Sequence, residues 1–234
     1  MGNKVVVGIH QPNFIPWPSY FNKISKSNIF IFLDDAEFTK NSLINRNSIK
    51  SNDKELRLTV PVAHRSMRQL ISETEIANHK SIKKIWKSIE QNYSKSKFFH
   101  EYSDDFRNIY FKEYKYIHEL NMDLIKLILD LLNVNTKIVT SSSLALGEAK
   151  CKNSRIINLC KSVGATEYLS GFGAREYNDN EMYRQASIKL TYQNYKIPEY
   201  KQLGQEFLNG LTILDMLFNI GAIETLKNIK EVDE

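Results

Sequence analysis

Two short runs near the start of the chain place apolar side chains on both faces of an extended backbone: Val5-Val6-Val7-Gly8-Ile9 and Ile29-Phe30-Ile31-Phe32-Leu33. Such strands must be covered on both sides, and a parallel sheet between two helical layers does this. Further short runs at 137–140, 167–170 and 190–195 are separated by stretches of helical character. Strands alternating with helices read as βαβ units. The expected fold is therefore α/β: a mostly parallel, Rossmann-like three-layer sheet with helices on both faces. With 234 residues and about 150 residues per domain as a prior, we expect one domain over 1–230, with a helical middle segment and a frayed tail at 231–234.

The middle of the chain carries the helical signal. Ile82, Ile85, Trp86, Ile89 and Tyr93 recur at helical spacing with lysines opposite them, an amphipathic stripe. Residues 106–132 read as one longer helical region, 19–27 and 154–162 as shorter helices, and 211–218 as a final helix stopped by Gly221. Residues 56–62 alternate apolar and polar at first and read as a third strand, with His64 just beyond it. No internal repeat, low-complexity linker or domain boundary is apparent.

Composition narrows the class without naming an activity. Twelve Tyr, 12 Phe and 2 Trp are too many for a disordered chain. The net charge of +5 suits an anionic ligand such as a nucleotide, yet it is spread along the chain and forms no basic block. No run approaches the roughly 20 apolar residues of a membrane span, and Val5-Val6-Val7 is too short for a signal-peptide core. A cytoplasmic protein with no membrane association is expected. Cys151 and Cys160 have no metal-type spacing and are expected to be reduced and packed.

Three clusters can carry chemistry, because ligands of open α/β sheets bind beyond the carboxyl ends of the strands. The first is His10-Gln11-Pro12-Asn13-Phe14-Ile15-Pro16-Trp17-Pro18. His10 can serve as acid, base or hydrogen-bond donor near neutral pH. Gln11 and Asn13 offer amides, Trp17 and Tyr20 offer stacking faces, and the prolines restrict the loop. The second holds Asp34 and Asp35, then Lys40, Asn45 and Arg46. Such an acidic pair can hold Mg²⁺, accept from a ribose hydroxyl or orient an amine, and it can equally cap a helix or pair with a neighbouring cation. Arg46 can fork onto a phosphate. The third is Ser170-Gly171-Phe172-Gly173, where small residues allow a ligand close to the backbone or simply make a tight turn. No metal-binding set is expected: HExxH and paired CxxC are missing, as are the GxSxG, GxGxxG and Walker A patterns.

The first cluster resembles the opening HQPxYxPW signature of the WbqC-like proteins. The similarity continues through Tyr20-Phe21, Leu33-Asp34-Asp35, Lys40, Asn45-Arg46-Asn47 and Thr59-Val60-Pro61-Val62. It resumes at Tyr168-Leu169-Ser170-Gly171, Pro198-Glu199-Tyr200-Lys201-Gln202 and 211–221. Phe14 stands where Tyr is common, and Lys201 separates the Tyr from the Gln of a usual pair. The resemblance implies a bacterial protein of O-antigen or other surface-polysaccharide biosynthesis, in pathways that acylate or aminoacylate amino sugars.

With that resemblance, the expected function is an amide-forming transferase acting on a nucleotide-linked amino sugar. His10, Asp34 and Asp35 would be catalytic, His10 as base or oxyanion donor. Gln11, Asn13, Trp17, Tyr20, Lys40, Asn45, Arg46, Ser170 and Gly171 would bind substrate. The acyl or aminoacyl donor could be a charged tRNA. The alternatives are an ATP- and Mg²⁺-dependent nucleotidyl- or adenylate-forming enzyme and a non-catalytic partner in a polysaccharide-assembly complex. These residues do not set the oligomeric state.

Overall fold

The structure, a computed structural model, describes residues 4–63, 66 and 68–230. His64 and the expected tail at 231–234 lie outside the described residues. In chain order the elements are β1 (Val6–His10), α1 (Pro18–Ser25), β2 (Ile29–Phe32), β3 (Arg46–Ser51), β4 (Lys54–Thr59), α2 (His79–Tyr93), α3 (Phe99–Phe111) and α4 (Ile117–Leu131). They continue as β5 (Lys137–Thr140), α5 (Lys152–Ser162), β6 (Glu167–Ser170), α6 (Asn180–Gln185), β7 (Lys189–Tyr192) and α7 (Ile213–Lys230).

Five strands form one parallel sheet in the order β5-β2-β1-β6-β7. Alternate side chains feed two cores. Val7, Ile9 and Ile31 pack with Ile157, Cys160, Tyr168 and Tyr183 on the face of α5 and α6. Phe30 and Phe32 pack on the opposite face with Phe21, Trp86, Leu124 and Phe218 from α1, α2, α4 and α7. This is the α/β sheet covered on both sides that the apolar runs require. Gly8 admits the closest approach: a Cβ there would lie 2.5 Å from Ser27 Oγ and 2.7 Å from the Phe30 ring. Among the described residues no helix is long and apolar enough to cross a membrane.

Three local expectations are corrected. The run expected as a third sheet strand belongs to a separate antiparallel hairpin, β3–β4. Asn52 and Asp53 both take positive φ, 47° and 58°, the mirror-image two-residue turn whose twist suits a hairpin. The helical region expected over 106–132 is broken into α3 and α4. Between them the backbone pairs with residues 74–76 instead: Ile76 N–H donates to the Lys115 carbonyl and Ile117 N–H to the Thr74 carbonyl. Finally, the chain does not stop being helical after Gly221. That residue takes φ 78° and kinks α7, which resumes to Lys230.

Candidate functional site

Strand order reverses between β1 and β6. From β1 the chain steps outward to β2 and β5, whereas β6 and β7 add on the other side. Loops leaving the carboxyl ends of β1 and β6 therefore diverge, and such a switch point is where open α/β sheets bind ligands. A cavity of about 450 Å³ lies there. Its wall includes His10 at the end of β1, Trp17, Tyr20 and Lys23 on and before α1, and Ser170, Gly171 and Phe172 after β6. Gln193 and Tyr195 close it from beyond β7, and among the described residues no carboxylate lines it.

The loop between β1 and α1 is pinned throughout. Asn121 on α4 donates from Nδ2 to the Pro12 and Ile44 carbonyls at 2.9 and 2.8 Å. Asn47 on β3 donates to the Phe14 and Ile15 carbonyls at 3.2 and 2.8 Å. Phe14 N–H donates to the Leu43 carbonyl, and Ile213 N–H donates to the Pro16 carbonyl. Phe14 and Ile15 are fully buried. Ile15 takes φ 40°, a strained conformation for a β-branched residue that persists only where its surroundings enforce it. Pro18 then begins α1, where its missing N–H removes no helical hydrogen bond.

His10 sits in an aromatic frame, its ring centre 4.9 Å from that of Tyr20 and 5.9 Å from that of Trp17, both edge-on. Its Nδ1 lies 3.1 Å from the Gln11 carbonyl oxygen, which also accepts from the Tyr20 hydroxyl at 2.8 Å. A carbonyl can only accept, so this contact assigns the proton to Nδ1 and leaves Nε2 as an acceptor. Burial, then the nearby Lys23 charge, pushes the imidazole down to about 3. His10 is thus neutral at physiological pH, and its conjugate acid is too strong for it to be an efficient base there.

Lys23 was not singled out from the sequence. It is 3% exposed, and its Nζ donates to the Ile9 carbonyl at 2.7 Å. Burial pushes its amine down to about 7. A signal for it existed: Tyr20, Lys23, Ile24 and Ser27 fall at helical offsets and are all buried. Ser170, also fully buried, accepts from Asn178 Nδ2 at 3.0 Å.

The structure thus gathers His10, Trp17, Tyr20, Ser170 and Gly171 around one cavity, and the other candidates stand apart from its lining. Asp34 accepts from Ser142 N–H at 3.0 Å and from the Ser141 and Ser142 hydroxyls. Asp35 pairs with Arg155 at 2.5 Å, accepts from Ser141, and lines a second cavity with Cys151 and Lys152. The acidic pair therefore ties β2 to the β5–α5 connection. Asn45 is buried and donates to the Val60 carbonyl, and Asn13 is buried as well. Gln11 is partly buried and Lys40 is exposed, whereas Arg46 lines a different cavity beside Glu55 and Arg57. Among the described residues no three of His, Cys, Asp and Glu are grouped to hold a metal ion. Cys160 is buried as expected, but Cys151 is exposed because it is the N-cap of α5, its Sγ accepting from Ser154 N–H.

A Mycobacterium tuberculosis protein named "Uncharacterized protein Rv1507c" is 37% identical over 219 residues, which cover 92% of this chain and 94% of that protein. No solved structure gives a significant match. The description of the WbqC-like protein family matches residues 11–226, and the chain belongs to that family.

Proposed function

We propose that the protein is a transferase that joins an acyl or aminoacyl group to the amino group of a nucleotide-linked amino sugar, in the biosynthesis of bacterial surface polysaccharide. The observation that carries this reading is the composition of the switch-point cavity: an imidazole acceptor, a buried lysine and several aromatic rings, with no carboxylate among the described residues. An acceptor amine must be oriented with its lone pair toward an acyl carbon, and His10 Nε2 supplies an acceptor for one of its N–H bonds. Trp17 and Tyr195 offer faces for a sugar ring. Asp34 and Asp35 hold the neighbouring loops in this reading and touch no substrate. Membership of the WbqC-like family supports the polysaccharide setting, as does the amino-sugar chemistry that the resemblance implies.

The test incubates the purified protein with UDP- and dTDP-linked amino sugars, supplying acyl thioesters or aminoacyl-tRNA as donors. The product is read by mass spectrometry. The expected result is an amide product with one donor class, and a His10→Asn loss of at least about 100-fold in kcat/KM, equivalent to roughly 2.7 kcal/mol of transition-state stabilisation. A His10→Asn loss below about tenfold removes His10 from the reaction. Stabilisation by ATP with pyrophosphate release, and no amide, would replace this reading with an adenylate-forming one.

A further inference from the structure

Lys23 stands in the wall of the cavity, where none of the described lining residues is an acid to balance it. An ammonium group has three N–H donors. One goes to the Ile9 carbonyl, and the Tyr168 ring centre lies 6.0 Å away. Among the described residues no carboxylate pairs with it. The nearby acids have other partners: Asp34 has the serines after β5 and Asp35 has Arg155, while Glu167 has Lys4 and Lys189. Ordinary lysines extend their ammonium to water, so burying one on a cavity wall without a counter-ion is costly.

The titratable groups that line the cavity with it are His10 at the end of β1, Tyr20 on its own helix, Tyr168 on β6 and Tyr195 after β7, while Glu224 on α7 pairs with Lys227. Burial raises the Tyr20, Tyr168 and Tyr195 hydroxyls, so these stay neutral. His10 is neutral too. None of these groups carries a negative charge to stabilise the ammonium, and its titration near 7 leaves free amine and ammonium both populated at neutral pH.

We propose that Lys23 is the proton acceptor of the transfer reaction, its Nζ, held on the Ile9 carbonyl, taking a proton from the acceptor amine as that amine attacks the acyl carbon. This rests on the transferase reading above. The amine lone pair forms the new C–N bond, and the proton it sheds goes to the Lys23 amine. The C–S bond of a thioester donor, or the C–O bond of an ester donor, breaks with its electron pair on the leaving atom. That atom takes the proton back from Lys23, restoring the free amine.

Two measurements test it. In protein labelled with ¹³Cε-lysine, the Lys23 resonance, assigned by its loss in Lys23→Met, is expected to titrate with a midpoint near 7. A midpoint near the ordinary lysine value of about 10.4 overturns the role, even if the protein forms an amide. In turnover, Lys23→Met and Lys23→Arg are each expected to lose at least about 100-fold in kcat, within the range of general-base catalysis. KM should stay within a factor of about three, and the acid limb of the wild-type pH profile should disappear. Arginine keeps the charge and cannot release a proton, so an Arg variant within about threefold of wild type overturns proton transfer. A lysine that titrates near 7 in a protein forming no amide with any donor refutes the transferase reading and this role with it.

Discussion

Replacing Asn47 by Ala removes both Nδ2 hydrogen bonds that fix the Phe14 and Ile15 carbonyls. Each buried acceptor left unpaired costs about 1–3 kcal/mol. Relaxing Ile15 from its positive φ returns part of that, since such strain is worth roughly 1–3 kcal/mol. A net loss of about 2–4 kcal/mol is expected, which corresponds to a fall of about 4–15 °C in Tm for a chain of this size. Asn45 is the internal comparison. It is equally buried and on the same segment, but it donates to a single carbonyl, that of Val60, so Asn45→Ala is expected to cost about half as much. Asn47→Asp keeps the volume but turns an acceptor toward two carbonyls. It is expected to be at least as destabilising at neutral pH, and less so in acid, where a protonated carboxyl regains a donor. Urea unfolding of the wild type and the three variants measures these differences. If Asn47→Ala costs no more than Asn45→Ala, or if the Asp variant is as stable as wild type, the carbonyl clamp does not hold the loop.

Two further outcomes follow from the buried bases and the two thiols. Because the folded Lys23 amine titrates near 7 and an unfolded lysine near 10.5, the ammonium destabilises the fold fully below about pH 7, and this cost fades as pH rises to 10.5. Lys23→Met is therefore expected to be more stable than wild type at pH 6, by at most about 5 kcal/mol from a shift of this size, with the gain closing toward pH 10 in denaturant titrations. His10, lowered from 6.5 to about 3, acts in the same direction: its share of wild-type stability falls as pH drops from 6.5 to 3. Cys151 is exposed, and hydrogen bonds with Ser154 lower its thiol, whereas burial pushes Cys160 up to about 12. A thiol reagent at pH 7 is expected to label Cys151 alone, more slowly in Ser154→Ala, and to reach Cys160 only on unfolding.

Much of the sheet was legible because its strands are apolar on both faces, as in Ile29–Phe32, and that pattern has one economical solution. The stripe on α2 was legible for the same reason at helical period, and its five residues are buried. The β3 strand was not. Arg46–Ser51 is polar except for Ile49, yet four of its six residues are buried, because Asn47 and Lys50 spend their polar side-chain atoms on internal partners. Hydrophobic periodicity cannot see a strand buried by hydrogen bonding. The break between α3 and α4 was hidden similarly, since a backbone pairing with residues 74–76 outweighs continuous helical propensity. At the site, the proline-rich loop announced itself by composition. Lys23 did not, because a lysine on a short helix normally reads as solvent-facing, and only its offset from Tyr20 and Ile24 marks it. Asp34 and Asp35 stood out as a pair at a strand end, although their partners, Ser141, Ser142 and Arg155, lie more than 100 residues away.

Of the described strands, the central β1 is made before the rest, and it meets its neighbour β6 only much later. Val5 N–H donates to Thr166 Oγ1 across 161 residues of chain, and β6 follows at once. At about 5–20 residues per second of synthesis, β1 waits roughly 8–30 s for that neighbour. Until then the Val7 and Ile9 face lacks Tyr168 and Tyr183 to cover it, and the cavity beside His10 has only one wall. The cavity is therefore completed only after β6 has been made, and a nascent chain arrested before residue 167 would carry the whole first loop and still lack the cavity's second wall.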